Sequence, residues 1–372
     1  MLQYTRGAAI VYLNRIISNI KIIKQMAGSS LVMAVVKANG YGHGIVQAAF
    51  ASLEGGADFL GVATAQEGVV LRNNGIKAPI LILGAIFEAD FESILKNKLT
   101  STVFTLKMAQ SLSNYAVSHQ KIANIHIKID TGMNRIGFVS QNKSTFAEIG
   151  EIFRLKNLNI EGAFSHFAAS DSDVSFSNAQ FEKFEYTVDK LKTFGLHIPI
   201  THISNSGAIL NYPKYNLDMV RSGVLTYGLS PSSTIEGKNN IQKLGILPAL
   251  EFRSQIINIK EVQKNETVGY SRNYVATKNT KVATIPLGYA DGIHRILSNR
   301  GVVCVDGVFC PIIGNICMDQ FMIDISETNA KINDEISIIN SKLPAEAVAN
   351  AAQTINYEIL TSISSRVERL YL

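Results

Sequence analysis

Short apolar segments alternate with helical stretches along residues 31–220, and this alternation constrains the fold more than any other feature of the sequence. Eight segments have the apolar composition of buried strands, namely 31–36, 59–63, 80–83, 102–105, 125–129, 160–164, 200–204 and 217–220. Amphipathic stretches of helical length, such as 106–119 and 178–194, lie between most of them. Eight alternations within about 200 residues predict a (β/α)8 TIM-type barrel rather than an open doubly wound sheet.

The pattern changes after about residue 231, where the segments become short and strand-like. The predicted strands are 251–259, 281–285, 302–305, 322–325 and 335–339, with turn signals such as Asp306-Gly307 between them. A helix over 345–360 or beyond is expected after Pro344. We therefore predict a barrel domain over 1–240 and a mostly β domain with a terminal helix over 241–372. A first strand at 8–13, within about 1–13, precedes the barrel pattern and could join the second domain's sheet.

Composition limits the environment and the partners. A chain of 372 residues with 47% hydrophobic residues can bury a large core, and its net charge of +5 contains no basic run that would indicate nucleic acid. No apolar run reaches the roughly 20 residues that span a bilayer, and neither a signal peptide nor a metal site is expected. Three cysteines without paired spacing predict reduced thiols in the cytoplasm: Cys304, Cys310 and Cys317.

Lys37 directly follows the first barrel strand, at the carboxyl end where parallel α/β proteins bind ligands. The glycine-rich turn 39–44 follows it and lets backbone approach a ligand closely. A partly desolvated lysine beside such a turn is a candidate Schiff-base nucleophile. The alternatives are a solvated lysine that only closes a strand, or a phosphate loop, although neither common glycine-rich phosphate motif is matched.

The ends of the later barrel strands also carry chemically active side chains. They are Lys128 and Arg135 after the fifth strand, His166 after the sixth, His202 after the seventh and Arg221 after the eighth. Asn205-Ser206-Gly207 opens a helix, and with Gly223-Val224 it could bind a phosphate through backbone N–H groups, unless it is only a helix cap. Together with Lys37 and Tyr41, this pattern predicts pyridoxal phosphate bound to the lysine.

The motifs resemble those of the alanine racemases over nearly the whole chain. VVKANGYGHG, with Lys37 and Tyr41, is similar to the cofactor-lysine motif of that family. The later motifs follow in the same order: HISNSG from His202, VRSGVLTYG with Arg221, GYS around Tyr270, PLGYADG over 286–292 and ICMDQ over 316–320. The sequence departs from the family pattern at Gly40, Ser222 and Asn315, where Ala, Pro and Arg are common.

The resemblance implies an alanine racemase that interconverts L-alanine and D-alanine by a two-base mechanism on a pyridoxal phosphate aldimine and supplies D-alanine for peptidoglycan. Lys37 and Tyr270 would be the two bases, the latter supplied by the partner subunit of a homodimer. The implied cofactor-binding residues are Lys37, Tyr41, His166, His202, Asn205, Ser206, Arg221, Gly223, Val224 and Tyr357. Arg135 and Met318 would contact substrate, and Lys128 matches a lysine that is carbamylated in some relatives. Tyr289 and Asp319 lie in the PLGYADG and ICMDQ motifs.

Four other functions are compatible with parts of the pattern. A serine or broad-specificity racemase would share the fold, and an amino-acid decarboxylase would share the cofactor, but decarboxylases of this architecture lack the PLGYADG and CMDQ patterns. A pyridoxal phosphate carrier without turnover would be a single barrel, whereas a second domain begins here near residue 240. A structural β-domain fused to a barrel that binds another phosphate would lack the cofactor's absorbance.

Overall fold

The computed structural model describes residues 4–372 and divides into two compact units. One unit contains the described residues up to Arg15 together with Tyr41–Gly44 and Tyr227–Leu372, and the other contains Ile16–Gly40 and Ile45–Thr226. Within residues 4–372, no helix combines the length and apolar character needed to cross a bilayer. The chain begins with strand β1 (Gly7–Val11), every residue of which is buried, and continues into the helix Leu13–Ala27.

The unit that contains Ile16–Gly40 and Ile45–Thr226 is built around a parallel sheet that closes into a barrel. Its strands are β2 (Leu31–Val35), β3 (Phe59–Val62), β4 (Ile80–Ile82), β5 (Thr100–Val103), β6 (Ala123–Asp130), the two-residue β7 (Phe138–Val139), β8 (Leu158–Phe164), β9 (Ile200–His202) and β10 (Met219–Ser222). The order is β10-β2-β3-β4-β5-β6-β8-β9, with β7 pairing beside β6. Backbone bonds from Asp218 to Thr201 (3.1 Å) and from Arg221 to Ser204 (3.0 Å) join the two ends. The predicted barrel is confirmed.

Helices follow the barrel strands because the intervening stretches have apolar faces, and several begin at a residue whose side chain caps the helix. The α-helices are Ile45–Glu54, Ala65–Asn73, Phe91–Lys96, Leu106–Ser118, Lys143–Ile152, Val174–Thr193 and Ser206–Asn211, and the short 3-10 helices are Glu88–Asp90, Pro213–Tyr215 and Val224–Tyr227. Thr105 accepts a hydrogen bond from Met108 N at 3.2 Å and so caps Leu106–Ser118. That helix buries Ala109, Leu112 and Ala116, which recur at helical spacing.

The unit that contains Tyr227–Leu372 has its own, mostly antiparallel sheet. Its later strands are β11 (Leu250–Gln255), β12 (Asn258–Val262), β13 (Thr280–Ile285), β14 (Val302–Val305), β15 (Val308–Ile313), β16 (Phe321–Asp324), β17 (Glu335–Ile339) and β18 (Glu368–Tyr371). The order is β12-β13-β16-β15-β14-β17-β11-β1-β18, so β1 lies between β11 and β18. Helices cover Ile235–Lys243, Ala345–Ala351 and Asn356–Thr361, and 3-10 turns cover Tyr270–Arg272, Tyr289–Asp291 and Arg295–Leu297.

Two predictions for this part of the chain were wrong in detail. The single strand expected over 251–259 is two strands, because β11 pairs with β1 and β17 whereas β12 pairs with β13. The single helix expected over 345–360 is two helices, with Gln353 between them in the left-handed region at φ +56°. Both breaks depend on pairing or packing with distant segments, which the local pattern does not contain.

Candidate active site

The segment after β2 forms a left-handed turn directly behind Lys37. Ala38, Asn39, Gly40 and Tyr41 have φ values of +52°, +53°, +61° and +51°. This conformation costs L-residues roughly 1–2 kcal/mol each, and only Gly40 escapes the penalty. Strain of this kind persists where surrounding contacts hold it, and it is concentrated at functional sites.

Glu67 is the contact that holds this turn. One of its carboxylate oxygens accepts from Ala38 N and the other from Ala63 N, both at 2.7 Å. Asn39 Oδ1 accepts from Ile45 N at 3.0 Å. Our sequence reasoning missed Glu67. The available signal was Thr64 followed three residues later by a glutamate, the pattern of a helix capping box, and Thr64 does accept from Glu67 N at 3.3 Å.

The environment of Lys37 disfavours its charged form. Burial lowers the pKa of Lys37, and the nearby Arg135 guanidinium lowers it further, while the Glu67 carboxylate acts in the opposite direction. Arg135 itself is exposed, in the loop after β6, and its guanidinium has no hydrogen bond or ion pair with any other part of residues 4–372. Asp130 shapes that loop, because its Oδ1 accepts from Gly132 N (2.9 Å) and Asn134 N (3.1 Å).

Arg221, on β10, is buried and makes four hydrogen bonds through its two terminal nitrogens. NH1 donates to His202 Nδ1 at 2.7 Å. NH2 donates to the carbonyls of Ser165 (2.7 Å) and Ile203 (3.1 Å) and to His166 Nδ1 (3.0 Å). Burial, with Arg135 nearby, lowers the pKa of Arg221 to about 9, so it remains a cation at neutral pH. None of these bonds uses the Nε–H.

Phe164 packs against the cations and the histidine at the centre of this group. Its ring stacks on His202 with centroids 4.8 Å apart and an interplanar angle of 3°. The Arg221 guanidinium lies 5.2 Å and Lys128 Nζ lies 5.4 Å from the Phe164 centroid. Burial and the neighbouring Arg221 hold the pKa values of His166 and His202 well below their ordinary value, so both imidazoles are neutral.

Lys128, on β6, is a buried lysine in a cationic environment. Its Nζ donates to the carbonyl of Ile129 at 2.9 Å. Burial and then Arg221 lower the pKa of Lys128 to about 7, with Asp130 acting in the opposite direction and Arg135 adding a smaller decrease. A substantial share of this side chain is therefore a neutral amine at physiological pH, which is unusual for lysine.

The predicted phosphate loops after β9 and β10 meet through Ser206. Its Oγ accepts from Gly223 N at 3.0 Å and from Leu225 N at 3.4 Å. Val224 starts the adjoining 3-10 helix. Asn205 caps Ser206–Asn211, because its Oδ1 accepts from Ala208 N (3.1 Å) and from Ser170 Oγ (2.7 Å). The Asn205 side chain therefore has the ordinary capping role, while the loop brings the backbone donors together.

Tyr41 and Tyr357 belong to the unit that contains Tyr227–Leu372, where their rings form an aromatic group. The Tyr41 ring stacks on Tyr227 at 5.0 Å and lies 6.2 Å from the Tyr357 ring. Burial raises the pKa of Tyr41 to about 12, so its phenol is protonated and can donate. Gly42 follows at φ +85°, and a Cβ there would lie 2.2 Å from the Leu360 carbonyl oxygen, so this position requires glycine.

Tyr270 lies at an open cavity of about 530 Å³ in the same unit, lined by Tyr270, Tyr289, Arg295, Asn315, Ile316, Cys317, Met318, Asp319 and Gln320. The Tyr270 and Met318 side chains are 72% and 53% exposed. Asn315, one of the departures from the family pattern, donates from Nδ2 to the Tyr270 carbonyl at 2.8 Å. Tyr289 N donates to the Cys317 carbonyl at 3.0 Å, which ties the PLGYADG and ICMDQ loops together.

Asp319 completes that loop through Arg366, whose NH2 donates to Asp319 Oδ1 at 2.7 Å. Each unit thus assembles its own group of the predicted residues.

Sequence reasoning also missed His126, whose Nδ1 lies 2.9 Å from His202 Nε2. The available signal was spacing, because His126 lies two residues before Lys128 and alternate strand residues share a face.

Comparison with known proteins finds the same similarity over both units. The family models described as alanine racemase, N-terminal domain, and alanine racemase, C-terminal domain, match residues 11–231 and 249–371. Alanine racemase 2 of Caldanaerobacter subterraneus subsp. tengcongensis is 41% identical, covering 97% of this chain and 94% of its own length. The alanine racemase structure from Clostridium difficile 630 has a TM-score of 0.93 at 37% identity and covers 100% of this chain and 97% of that one. The Bartonella henselae alanine racemase structure, described with covalently bound pyridoxal phosphate, has a TM-score of 0.88 at 26% identity and covers 99% and 100%.

Proposed function

The chain belongs to the alanine racemase family, and on this premise we propose that it interconverts L-alanine and D-alanine with pyridoxal 5'-phosphate as its cofactor. The observation that carries the proposal is the similarity to enzymes named as alanine racemases over both domains. The D-alanine product would supply peptidoglycan synthesis. The free thiols of Cys304, Cys310 and Cys317 support a cytoplasmic location as part of the same proposal.

The donor groups near Arg221 fit a pyridine ring and a phosphate. Because the four hydrogen bonds of Arg221 use only its terminal nitrogens, its Nε–H is available to donate to a ring nitrogen. Ser206 Oγ accepts two N–H bonds and retains its own O–H for donation. The N–H groups of Ser206, Gly207 and Val224 suit an anion, whereas the N–H of Gly223 already donates to Ser206 Oγ. We propose that these groups hold the cofactor with Tyr41 and Tyr357, while His166 and His202 act through Arg221.

Lys37 is proposed to bind the cofactor and to act as the base on one face of the substrate. Pyridoxal phosphate, when bound, supplies a conjugated ring that stabilises the negative charge left on the α-carbon after deprotonation. The Lys37 amine would take or return the α-proton at Nζ. The lowered pKa of Lys37 favours the neutral amine that both tasks require, and the Glu67-bound turn fixes the backbone from which it projects.

Arg221 is proposed to control which reaction follows deprotonation. Its pKa of about 9 keeps it protonated at neutral pH, and a guanidinium donates a hydrogen bond far more readily than a proton. Arg221 thereby limits the withdrawal of charge from the α-carbon. We expect this to favour return of the proton to the α-carbon, which gives racemisation, over transamination.

We propose that the second base is Tyr270 of the partner subunit in a homodimer. The Tyr270 side chain is 72% exposed, and its hydroxyl makes no hydrogen bond with the described residues of its own protomer, so it is available to a second copy. Exposed Met318 and Tyr289 border the same cavity and form an apolar rim that an interface would cover.

Substrate binding is assigned to Arg135 and to Met318 of the partner subunit. The Arg135 guanidinium is exposed and unpaired in the protomer, and its planar fork can form two charge-assisted hydrogen bonds with a carboxylate. The Asp319–Arg366 ion pair and the Tyr289–Cys317 backbone bond would hold the Met318 loop in place. A methionine side chain suits the small apolar methyl group of alanine.

Lys128 is proposed to be carbamylated. Its neutral amine would add to CO2, forming a nitrogen–carbon bond and releasing one proton, which leaves a carbamate anion. The pKa of about 7 makes the neutral amine available, and Arg221 and Arg135 provide the positive charge that such an anion needs. The modification would replace one cation beside Arg221 with an anion and so stabilise the guanidinium.

A racemisation assay across three amino acids tests the function. The purified protein, with its cofactor content measured by absorbance, is incubated with L-alanine, L-serine or L-lysine, and the change in optical rotation is followed. We expect the highest kcat/KM for alanine. No racemisation of alanine by cofactor-loaded protein would overturn the proposal, and an equal or higher kcat/KM for serine would support the broader-specificity alternative.

A further inference from the structure

His126 is a buried histidine that the proposed mechanism does not use. It is fully buried on β6, and its Nδ1 lies 2.9 Å from His202 Nε2, with the two rings 5.1 Å apart at 65°. His202 in turn accepts from Arg221 at 2.7 Å. A continuous hydrogen-bonded chain therefore runs from His126 through His202 to the guanidinium.

The backbone is arranged so that His126 can reach His202. The two residues are on β6 and β9, with β8 between them. His126 pairs with Gly162 because the β6–β8 register shifts after Ile125, which pairs with Ile160, so that Glu161 is skipped. A Cβ on Gly162 would lie 2.8 Å from His126 Cε1 and 2.9 Å from Nδ1. The imidazole thus occupies space that the intervening strand leaves open at a glycine.

The direction of each proton in this chain follows from Arg221, which can only donate. His202 Nδ1 must accept from NH1 and is therefore unprotonated. Neutral His202 then has its proton on Nε2, and that N–H must donate to His126 Nδ1. The reverse arrangement would place two N–H groups against each other at 2.7 Å. His126 therefore has its own proton on Nε2.

The remaining nitrogen of His126 makes an apolar substitution look favourable for stability. His126 Nε2 is buried and has no hydrogen-bond partner among residues 4–372. A leucine would remove this unpartnered N–H group but would leave the Nε2–H of His202 without an acceptor. The imidazole is therefore suited to supplying an acceptor to His202. Burial and Arg221 lower the pKa of His126 to about 3, so that acceptor is present at any physiological pH.

We propose that His126 is a positioning residue that fixes the tautomer of His202 together with Arg221 and, through His202, holds the orientation of Arg221. Without an acceptor at 126, the His202 N–H would be buried without a partner. The form of His202 protonated at Nε2 would then lose one of its two stabilising hydrogen bonds. The form protonated at Nδ1, which pushes the Arg221 guanidinium away, would become more populated. The inference rests on the proposed function only for its consequence in turnover, because the tautomer is a property of the protein itself.

Nitrogen NMR of the histidine-labelled enzyme, as purified with its cofactor, tests the tautomer directly. In the wild type we expect His202 to be protonated at Nε2 only, with a scalar coupling across the N–H···N bond to His126 Nδ1. In His126→Leu we expect His202 protonated at Nδ1 to appear. In His126→Asn, whose amide oxygen can take the place of Nδ1 as acceptor, we expect the wild-type tautomer. The exposed His197→Leu serves as the control variant.

The same variants are assayed for turnover. Loss of a hydrogen-bond partner that orients a metal-binding histidine commonly costs about 10- to 100-fold in metal affinity or activity. By analogy, we expect a loss of kcat of this size in His126→Leu. The KM for alanine should change little because Arg135 is untouched, and His126→Asn should recover most of the rate. If wild-type His202 is protonated at Nδ1, or if His126→Leu keeps the wild-type tautomer, the inference is wrong. If the wild type does not racemise alanine, the proposed function fails while the NMR result still decides the tautomer.

Discussion

Replacement of Tyr270 by phenylalanine separates catalysis from folding more cleanly than any other change in the proposed site. The substitution removes one oxygen atom from a side chain that is 72% exposed and whose hydroxyl makes no hydrogen bond within the described protomer. Surface changes of this kind usually alter the free energy of unfolding by less than about 0.5 kcal/mol. Loss of a positioned acid or base, in contrast, costs about 100- to 10,000-fold in rate, or about 2.7–5.5 kcal/mol of transition-state stabilisation.

The expected loss is asymmetric between the two enantiomers. Two fixed bases on opposite faces each remove the proton of one enantiomer, and we assign the L-enantiomer to Tyr270 and the D-enantiomer to Lys37. In heavy water, Tyr270→Phe should therefore still exchange the α-proton of D-alanine, because Lys37 is intact. It should hardly exchange that of L-alanine, and racemisation should nearly stop. Proton NMR of the α-position measures both exchange rates, and optical rotation measures racemisation.

Tyr274→Phe is the matched control, because it removes the same oxygen from a tyrosine four residues further along. Tyr274 packs against the cluster around Val268 and lies outside the proposed catalytic group, so this variant should racemise alanine at near the wild-type rate. Thermal unfolding of both variants checks that the fold is retained. Near wild-type racemisation by Tyr270→Phe, or equal slowing of exchange for both enantiomers, would refute the two-base assignment.

Three further predictions follow from the site. Borohydride should fix the cofactor to the peptide that contains Lys37, and Lys37→Ala should abolish this labelling; mass-spectrometric detection of the label on another lysine would contradict the assignment. Mixing inactive Lys37→Ala with inactive Tyr270→Ala should restore activity through hybrid dimers that have one intact site, and no recovery despite demonstrated subunit exchange would indicate a site built within one chain. Enzyme equilibrated with ¹³C-labelled bicarbonate should show a carbamate carbon signal that is lost in Lys128→Arg. The signal should weaken as the pH falls below about 7, because protonation of the Lys128 amine removes the nucleophile, and a pH-independent absence of signal would exclude carbamylation.

The local sequence pattern was sufficient for much of the architecture. Buried parallel strands are recognisable as short apolar runs, and the residue that follows each run must lie at the mouth of a barrel. Lys37 and Arg221, which follow the runs 31–36 and 217–220, could therefore be assigned to one face before any contact was known. The amphipathic pattern of a helix is also local, which is why the helix beginning at Leu106 was predicted almost to its last residue.

Strand partners and helix breaks were less accessible because they depend on distant segments. The position of β1 between β11 and β18 is set by residues about 240 to 360 positions further along the chain. The break at Gln353 and the left-handed turn at Ala38–Tyr41 both place non-glycine residues at positive φ, against their local preference. In the turn, Glu67 provides the compensating hydrogen bond from another element.

The amino-acid sequence was sufficient to predict the alternation of strands and helices, the strand ends that bear polar residues, and the motifs shared with a family. The protonation states of those residues follow from the folded structure, because a pKa depends on burial and on neighbouring charge. Lys128 is an ordinary lysine in the sequence, yet burial beside Arg221 lowers its pKa to about 7. The hydrogen bond from His202 to His126 exists only because a register shift aligns His126 with Gly162, and a shift of this kind arises from the pairing of two strands rather than from either strand alone.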